Sequence, residues 1–443
     1  MENFFFCARN VVDYVKPIND KSDIPIVDLA DENLLDNPEV QNFFLNILKS
    51  YIDNDNWVTA PISNAIDTGL QGVKLDFNHG LRMEIPTGNW HVKISDFDSG
   101  EIIFERNVSD IRLHSFEKYY IHWQVELSLD GAEVFHHTFD ATNRHVLVYF
   151  PPLGMGDIIA MLPYVDEFRR RYHCHMSIIT SPALQKFVTC LYPELQHTTE
   201  INYDINYAVY ILNMPSNILP IWYVDVRNYP LSRIAGVGLG INYLPPRPHF
   251  EPTMPPVTND PYVCIAVQAS MVRKGWFYPN GWDIVVAYLK KLGYRVFCID
   301  RDKENSDEKI GLTNKMPEGA EDFTGNRPLI ERANMLYYAE FFIGLSSGLA
   351  WIADAVKCPV VMICGFSKDW WEFYTPYRVA NRLVCNGCTN DILVNYMSDT
   401  CPYHKDTPRE FECQKKISAR QVLGAIKRLI IDEHLTPPNL IKN

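Results

Sequence analysis

Four cysteines near the C-terminal end of the sequence have the spacing of a metal site. They follow the pattern Cys385-x2-Cys388-x12-Cys401-x11-Cys413. Four thiolates this close in sequence favour tetrahedral coordination of Zn²⁺ or iron over harder cations. The surrounding residues are polar and loop-like, so this cysteine segment (385–413) has little apolar surface of its own, and a bound metal would contribute on the order of 10 kcal/mol. The alternative is four unrelated buried thiols.

A glycine-rich turn in the middle of the chain carries a possible catalytic carboxylate. The continuously apolar run 146–150 predicts a buried parallel strand, and a helical pattern follows the turn Gly154-Met155-Gly156-Asp157. Strand, glycine turn and helix in this order indicate a Rossmann-like unit, whose turn lets a ligand approach the backbone. Asp157 either caps the helix or acts as a base, and the residues alone leave both roles open.

A second turn has the composition of a phosphate site. Ser346, Ser347, Gly348 and Leu349 follow the apolar run 341–345 and open another helix. Backbone N–H groups and hydroxyls at a helix N-terminus suit a diphosphate. The alternative is a tight strand-to-helix turn that needs small residues.

Polar residues also follow two other predicted strands of the second half. Gln268, Ser270 and Lys274 come at or after the strand 262–268, and Asp300 follows the strand 294–299. Because parallel strands end at one edge of a sheet, Lys274 would meet a pyrophosphate and Asp300 a ribose or base. For Lys274 the alternative is a lysine on a surface loop.

The elements that position these residues divide the chain into six ranges. A two-residue hydrophobic period between 72 and 145 predicts antiparallel strands, and seven prolines in 244–261 predict a linker between two α/β units. The ranges are 1–66, an N-terminal extension with a helix over 38–52; 67–145, a small β-sandwich or barrel; 146–250, an N-terminal Rossmann-like domain; 261–384, a C-terminal Rossmann-like domain; 385–413, the cysteine segment; and 414–443, a closing helix.

Composition excludes two classes of partner. The 443 residues carry a formal net charge of −13, which is the wrong sign for a general nucleic-acid or anionic-membrane surface. No stretch approaches the roughly 20 apolar residues of a membrane span, and the first residues lack the pattern of an export signal. We therefore expect a cytoplasmic protein whose eleven cysteines are thiols or metal ligands.

The ordered set of motifs resembles the bacterial autotransporter heptosyltransferases, relatives of the lipopolysaccharide heptosyltransferases. The resemblance covers nearly the whole chain and is less clear over the first 66 residues. The motifs are Asp76-Phe77-Asn78-His79-Gly80-Leu81-Arg82, Gly154-x-Gly156-Asp157, Gln268-x-Ser270-x3-Lys274, Ile299-Asp300-Arg301-Asp302, Glu321-Asp322-Phe323-Thr324-Gly325-Asn326, Gly344-Leu345-Ser346-Ser347-Gly348-Leu349, Glu372-Phe373-Tyr374-Thr375-Pro376 and the four cysteines.

This resemblance implies a GT-B glycosyltransferase with a small antiparallel β domain and a four-cysteine metal finger. Of its two Rossmann-like domains, 146–250 would be on the acceptor side and 261–384 would bind the ADP-sugar. It implies transfer of heptose from ADP-heptose to serine hydroxyls on the passenger domain of an autotransporter adhesin. Asp157 would be the general base, and Lys274 would offset charge on the leaving ADP. The implied donor-binding residues are Gly154, Met155, Gly156, Gln268, Ser270, Lys274, Asp300, Gly325, Ser346, Ser347, Gly348 and Leu349.

The resemblance also implies one iron ion (Fe³⁺) per subunit on Cys385, Cys388, Cys401 and Cys413, with zinc as the alternative, and a large homo-oligomer of the dodecamer-ring type. Two other functions stay open at this stage. One is a glycosyltransferase that uses another nucleotide sugar, and the other is a non-catalytic iron-binding scaffold. Only one Cys-x2-Cys arm is present, so a structural role for the metal is favoured over electron transfer.

Overall fold

The computed structural model describes the backbone of residues 2–6 and the residues 60–115, 117–214, 225–271, 274–307, 311–394 and 400–441. The helix expected over 38–52 lies outside these residues. Within the described part of the chain, no helix is both long and apolar enough to cross a membrane.

Twelve strands precede the proline-rich range in the described part of the chain. They are β1 (Glu2–Phe6), β2 (Lys74–Asn78), β3 (Arg82–Ile85), β4 (Trp90–Asp96), β5 (Ile102–Val108), β6 (Ile111–Ser115), β7 (Trp123–Leu129), β8 (Ala132–Thr138), β9 (His145–Tyr149), β10 (His175–Ile179), β11 (Gln196–His197) and β12 (Asn206–Ile211). The helices among them are α1 (Met155–Tyr172), α2 (Pro182–Leu191) and α3 (Arg233–Gly238).

These strands form two sheets. An eight-stranded mixed sheet has the order β1-β6-β3-β2-β12-β9-β10-β11, and a four-stranded antiparallel sheet has the order β5-β4-β7-β8. The alternating pattern of β7 buries Trp123, Val125 and Leu127. Asp130 and Gly131, both with positive φ, turn the chain into β8, as the Asp-Gly pair predicts.

The expected separate sandwich or barrel over 67–145 is wrong in one respect. The antiparallel strands are present, but β2 pairs in parallel with β12, so that Phe77 lies opposite Ala208. Three strands of the range, β2, β3 and β6, therefore extend the sheet of the first α/β unit. The reason is that Leu75 and Phe77 bury their side chains in the same hydrophobic core as Val146 and Val148.

The second unit contains a parallel sheet with helices on both faces. Its strands are β13 (Tyr262–Ile265), β14 (Arg295–Cys298), β15 (Glu304–Asp307), β16 (Leu312–Lys315), β17 (Glu321–Asp322), β18 (Phe341–Leu345), β19 (Val360–Ile363) and β20 (Arg378–Val379). Its helices are α4 (Gly281–Leu292), α5 (Leu329–Tyr338), α6 (Gly348–Ala355), α7 (Glu412–Lys415), α8 (Ala419–Asp432) and α9 (Pro438–Ile441).

Six of these strands form the parallel sheet, in the order β17-β14-β13-β18-β19-β20, while β15 and β16 make an antiparallel hairpin. Apolar residues of α4 and α8 cover one face, and those of α5 and α6 lie in the core shared with the first unit. The carboxyl ends of β13, β14, β18 and β19 meet at one edge. This edge carries the polar residues singled out in the sequence.

The two units meet where α1 packs against α6. The contact is close because glycines face it: a Cβ atom on Gly156 would lie 2.6 Å from Cδ1 of Trp351, and one on Gly348 would overlap Met155. The glycine turn before α1 and the serine-glycine turn before α6 therefore face each other.

The proline-rich range 244–261 contains no helix or strand. It is nevertheless attached to the second unit. Arg247 pairs with Asp354 and lies over the Trp351 ring, and the Asn334 side chain accepts hydrogen bonds from the amides of Thr253 and Met254.

Candidate functional site

Asp157 lies in the first turn of α1, directly after the glycine turn. It occupies the third helical position, and Gly154 is the cap residue, so Asp157 is not the N-cap that the sequence allowed. Its Oδ2 accepts a hydrogen bond from the Gly154 amide at 3.0 Å. Among the described residues, no partner donates to Oδ1, which leaves one carboxylate oxygen able to take a proton.

The pKa of Asp157 reflects two opposing influences. Burial raises it above the usual value of an aspartate, while the positive charge of Lys274 and the Gly154 N–H lower it. A carboxylate with a raised pKa is a better proton acceptor than an ordinary one, and the charge of Lys274 favours its ionised form. This combination suits a general base that works near neutral pH.

Lys274 comes from the loop that follows β13. Its ammonium nitrogen lies 5.1 Å from the centroid of the Phe366 ring, in the loop after β19. The lysine thus belongs to the second unit while its charge acts on Asp157 of the first. The structure brings the two predicted catalytic residues together across the contact between the units.

The serine-glycine turn holds its two hydroxyls in different ways. Ser346 is buried and donates a hydrogen bond to Glu372, whereas Ser347 is the cap residue of α6. The Oγ of Ser347 is buried and has no hydrogen-bond partner in the described part of the chain. An unpaired buried hydroxyl beside the first amides of a helix is a feature that an anionic oxygen would satisfy.

The predicted nucleotide-side residues are at the same sheet edge, but Asp300 is engaged inside the protein. Its oxygens accept hydrogen bonds from the amides of Val267 and Gln268, at 2.7 and 3.1 Å, and its side chain is buried. Burial raises its pKa to about 6. In this structure the carboxylate fixes the loop that follows β13, and a contact of Asp300 with the nucleotide stays a prediction.

The other three predicted donor-binding residues of this edge differ in how far they are exposed. Gln268 is buried and its side-chain amide donates to the carbonyl of Asp302, while Ser270 is exposed. Gly325 has a φ of 122°, which favours glycine, and its carbonyl accepts a hydrogen bond from Arg332. Ser270 and Gly325 leave the edge open to a ligand.

Sequence reasoning missed a buried polar network behind the serine-glycine turn. Glu372 accepts hydrogen bonds from Ser346 and Ser367 and pairs with Arg378 at 2.8 Å. The only sequence signal was the position of Glu372 in the motif 372–376, which carried no assigned role. The network holds the turn against the strand ends of the second sheet.

The four cysteines converge on one small cavity. Cys385, Cys388, Cys401 and Cys413 line it together with His404, Arg409 and Glu412. Burial, followed by the proximity of the other three thiols, raises the pKa of Cys413. All ten cysteines in the described part of the chain are free thiols.

The donor set fits a thiophilic metal, but the side chains do not close into a coordination shell. Across the described ranges, no group of three His, Cys, Asp or Glu side chains is arranged so that it could hold a metal ion. The shared cavity is the more direct observation, because small rotations of thiol side chains change sulfur positions without moving the backbone. Coordination of one ion by the four cysteines stays a prediction.

The cysteine segment is fixed to both units through its backbone. The Arg227 guanidinium of the first unit donates to the carbonyls of Ile392 and Val394, each at 2.8 Å. On the other side, the Gly387 amide donates to Gly365 in the loop after β19. We call the contact between the two glycine turns (154–157 and 346–349), together with the loops after β13 and β19, the cleft. The cysteine segment is attached to both units that form it.

Two family models match the chain. One is described as the N-terminal domain of glycosyltransferase TibC and matches residues 69–131, and the other, glycosyltransferase family 9 (heptosyltransferase), matches residues 245–397. The described site residues Lys274, Asp300 and Ser347 fall in the second match.

Three curated relatives are similar over most of their length. The autotransporter heptosyltransferase TibC of Escherichia coli O78:H11 is 37% identical over 86% of this chain and 95% of its own. The autotransporter heptosyltransferase BAHTCr of Citrobacter rodentium is 38% identical over 82% and 90%. BimC of Burkholderia thailandensis, described as an inactive autotransporter heptosyltransferase, is 31% identical over 82% and 87%.

The fold is also similar to that of solved structures of TibC. The crystal structure of TibC, described as a bacterial iron-containing dodecameric glycosyltransferase, superposes with a TM-score of 0.77 at 36% identity over 84% of this chain and 99% of that one. The same values hold for TibC in complex with ADP-D-beta-D-heptose. The chain therefore belongs to the autotransporter heptosyltransferase family.

Proposed function

We propose that this chain is a GT-B heptosyltransferase that moves heptose from ADP-heptose to serine hydroxyls on the passenger domain of an autotransporter adhesin. The observation that carries the proposal is that Asp157 lies at the contact of two glycine turns from different units, where the charge of Lys274 lowers its pKa. One relative is inactive, so family membership alone does not establish turnover. The pairing of these two residues supports activity in this chain.

In the proposed step, Oδ1 of Asp157 takes the proton of the acceptor hydroxyl. The hydroxyl oxygen forms a bond to the anomeric carbon of heptose as the bond from that carbon to the ADP oxygen breaks. A base in this position contributes about 10²–10⁴-fold in rate. The Gly154 amide holds Oδ2, so the carboxylate is oriented before the acceptor arrives.

The second unit stabilises the leaving ADP. Lys274 offsets the negative charge that develops on it, and the hydroxyl of Ser347 with the amides of Gly348 and Leu349 binds the diphosphate. Ser346 positions this turn through Glu372.

The remaining residues surround the donor. We place the heptose beside Gly154, Met155 and Gly156. Ser270, Gly325 and the backbone at Gln268 lie on the nucleotide side. Asp300 contributes by fixing that backbone through its two hydrogen bonds.

Cys385, Cys388, Cys401 and Cys413 would hold one Fe³⁺ per subunit, with Zn²⁺ as the alternative. When bound, the ion supplies a tetrahedral cross-link rather than a reacting group. The iron-containing, dodecameric TibC supports iron and a large homo-oligomer for this chain as well. A cytoplasmic location completes the proposal.

The test is the intact mass of a purified passenger domain after incubation with the enzyme and single sugar donors. ADP-heptose is compared with ADP-glucose and a UDP-sugar under equal conditions. The proposal predicts mass increments of whole heptose residues with ADP-heptose alone. An increment with another donor would redirect the donor assignment, and no increment with any donor would favour the non-catalytic scaffold.

A further inference from the structure

The glutamine that follows the last cysteine connects the cysteine segment to the catalytic lysine. Gln414 lies in α7 and is 1% exposed. Its Nε2 donates to the carbonyl of Lys274 at 3.0 Å, and its Oε1 accepts from the amide of Gly365 at 3.1 Å. One buried side-chain amide therefore holds two loops of the cleft.

The two loops held by Gln414 are those that position the lysine ammonium. Gly365 directly precedes Phe366, whose ring lies 5.1 Å from the Lys274 nitrogen. Gln414 thus fixes the backbone of the lysine and the backbone next to the ring on which its side chain lies. Its own carbonyl also accepts a hydrogen bond from the Phe277 amide at 3.2 Å, which ties the same loop to α7 from a second point.

The packing leaves little freedom for this arrangement. A Cβ atom on Gly365 would overlap the carbonyl of Cys413, so the loop after β19 and the start of α7 are in direct contact. A buried amide that lost either partner would leave a polar group unsatisfied, which is unfavourable inside the protein. The position of Lys274 is therefore coupled to the position of Cys413.

We infer that Gln414 is a positioning residue for heptosyl transfer, which transmits the fold of the cysteine segment to the ammonium group of Lys274. The inference rests on the proposed role of Lys274. It assigns the segment a part in the rate of the reaction, besides its contribution to stability.

The experiment compares three variants of the metal-loaded protein. Gln414→Met keeps the length of the side chain and removes both hydrogen bonds. Gln414→Glu keeps the acceptor for Gly365 and loses the donor to Lys274. Gln421→Ala is the matched control, because exposed Gln421 makes a similar side-chain hydrogen bond, to the Ser418 amide at 2.8 Å in the capping box of α8.

Two readouts are independent of each other. The first is the rate of hydrogen exchange of the backbone amides in the peptide that contains Lys274. We expect faster exchange in both Gln414 variants and the wild-type rate in Gln421→Ala. Steady-state kinetics with ADP-heptose measure the chemistry, and we expect kcat to fall about 10- to 100-fold in both Gln414 variants with a smaller change in KM. Metal content, measured by elemental analysis, stays at one ion per subunit.

The pH profile separates positioning from a general loss of structure. Because the charge of Lys274 lowers the pKa of Asp157, a displaced lysine moves the acidic limb of kcat/KM in Gln414→Met to higher pH. Wild-type exchange, kcat and acidic limb in Gln414→Met would overturn the inference. If Gln414→Met does not fold, a wild-type kcat in Gln414→Glu would overturn it equally. An inactive wild-type enzyme would instead refute the proposed function, and the exchange data would still test the contact.

Discussion

The cleft and the cysteine segment, two neighbouring regions of the molecule, are organised in different ways. In the cleft, the protein's own hydrogen bonds already fix the functional groups: Gly154 holds Asp157, and Glu372 holds Ser346. In the cysteine segment, backbone hydrogen bonds fix the chain, while the four thiols line a cavity without forming a group that could hold a metal ion. The difference indicates that the cleft is preorganised by packing and that the segment needs a ligand to complete it.

The largest effect is expected from a substitution that removes a cysteine of the cysteine segment. Cys385→Ser removes one of four thiolates, and because such ligation contributes on the order of 10 kcal/mol, we expect loss of bound metal and of soluble assembly. Elemental analysis and size-exclusion chromatography measure both. Cys190→Ser, a free thiol in the first unit, is the matched control and should keep metal and assembly. A metal-free Cys385→Ser protein that stays assembled and active would show that the segment needs no ligand.

The next largest effect is expected from a substitution that impairs catalysis in the cleft and leaves the cysteine segment unchanged. Lys274→Met removes the charge that offsets the leaving ADP, so we expect kcat to fall about 10²–10³-fold. Metal content should not change, because the lysine side chain is not among the residues that line the cysteine cavity. The release of ADP in the presence of passenger domain measures the rate. A wild-type rate in Lys274→Met would show that the lysine side chain takes no part in the reaction.

A smaller effect tests the serine-glycine turn. Ser347→Ala removes a buried hydroxyl that has no partner in the described residues, so the free protein should lose little stability. The donor complex loses one hydrogen bond to an anion, which predicts about 10-fold weaker binding of ADP. Calorimetric titration with ADP measures the affinity. Equal affinity would place the diphosphate elsewhere.

The smallest effect concerns the stability cost of the base. Burial raises the pKa of Asp157 in the folded protein, so its ionisation opposes folding at pH values above that pKa. Asp157→Asn should therefore raise the melting temperature slightly at pH 8. The gain should vanish as the pH falls and the wild-type carboxyl becomes protonated. A scanning-calorimetry series across pH checks the sign, and a lower melting temperature at pH 8 would contradict it.

The regular elements could be predicted from sequence because their signals are local. The strand expected over 146–150 is β9 (His145–Tyr149), and the helix expected at the glycine turn that follows it is α1 (Met155–Tyr172). The pairing of β2 with β12 could not be predicted from the sequence, because it joins residues more than 100 positions apart and depends on a shared core. Local period-two patterning does not specify which sheet a strand joins.

The site was predictable where a motif carried it. Asp157 and Ser347 lie in the two glycine turns that face each other, and the charge of Lys274 acts on Asp157, while the roles of the three residues stay predictions. Gln414 and Glu372 were missed because a single polar residue in an aperiodic segment gives no sign that it will be buried. The backbone partners of Asp300 could not be predicted, because a carboxylate that follows a strand can bind either a ligand or the backbone.

The most direct test of the account is a peptide map of the passenger domain after incubation with ADP-heptose and either wild-type enzyme or Asp157→Asn. Tandem mass spectrometry then locates the added sugar. The account predicts heptose on serine side chains with the wild-type enzyme and none with Asp157→Asn, whose metal content and assembly are those of the wild type. Equal modification by both enzymes, or heptose on another type of residue, would contradict it.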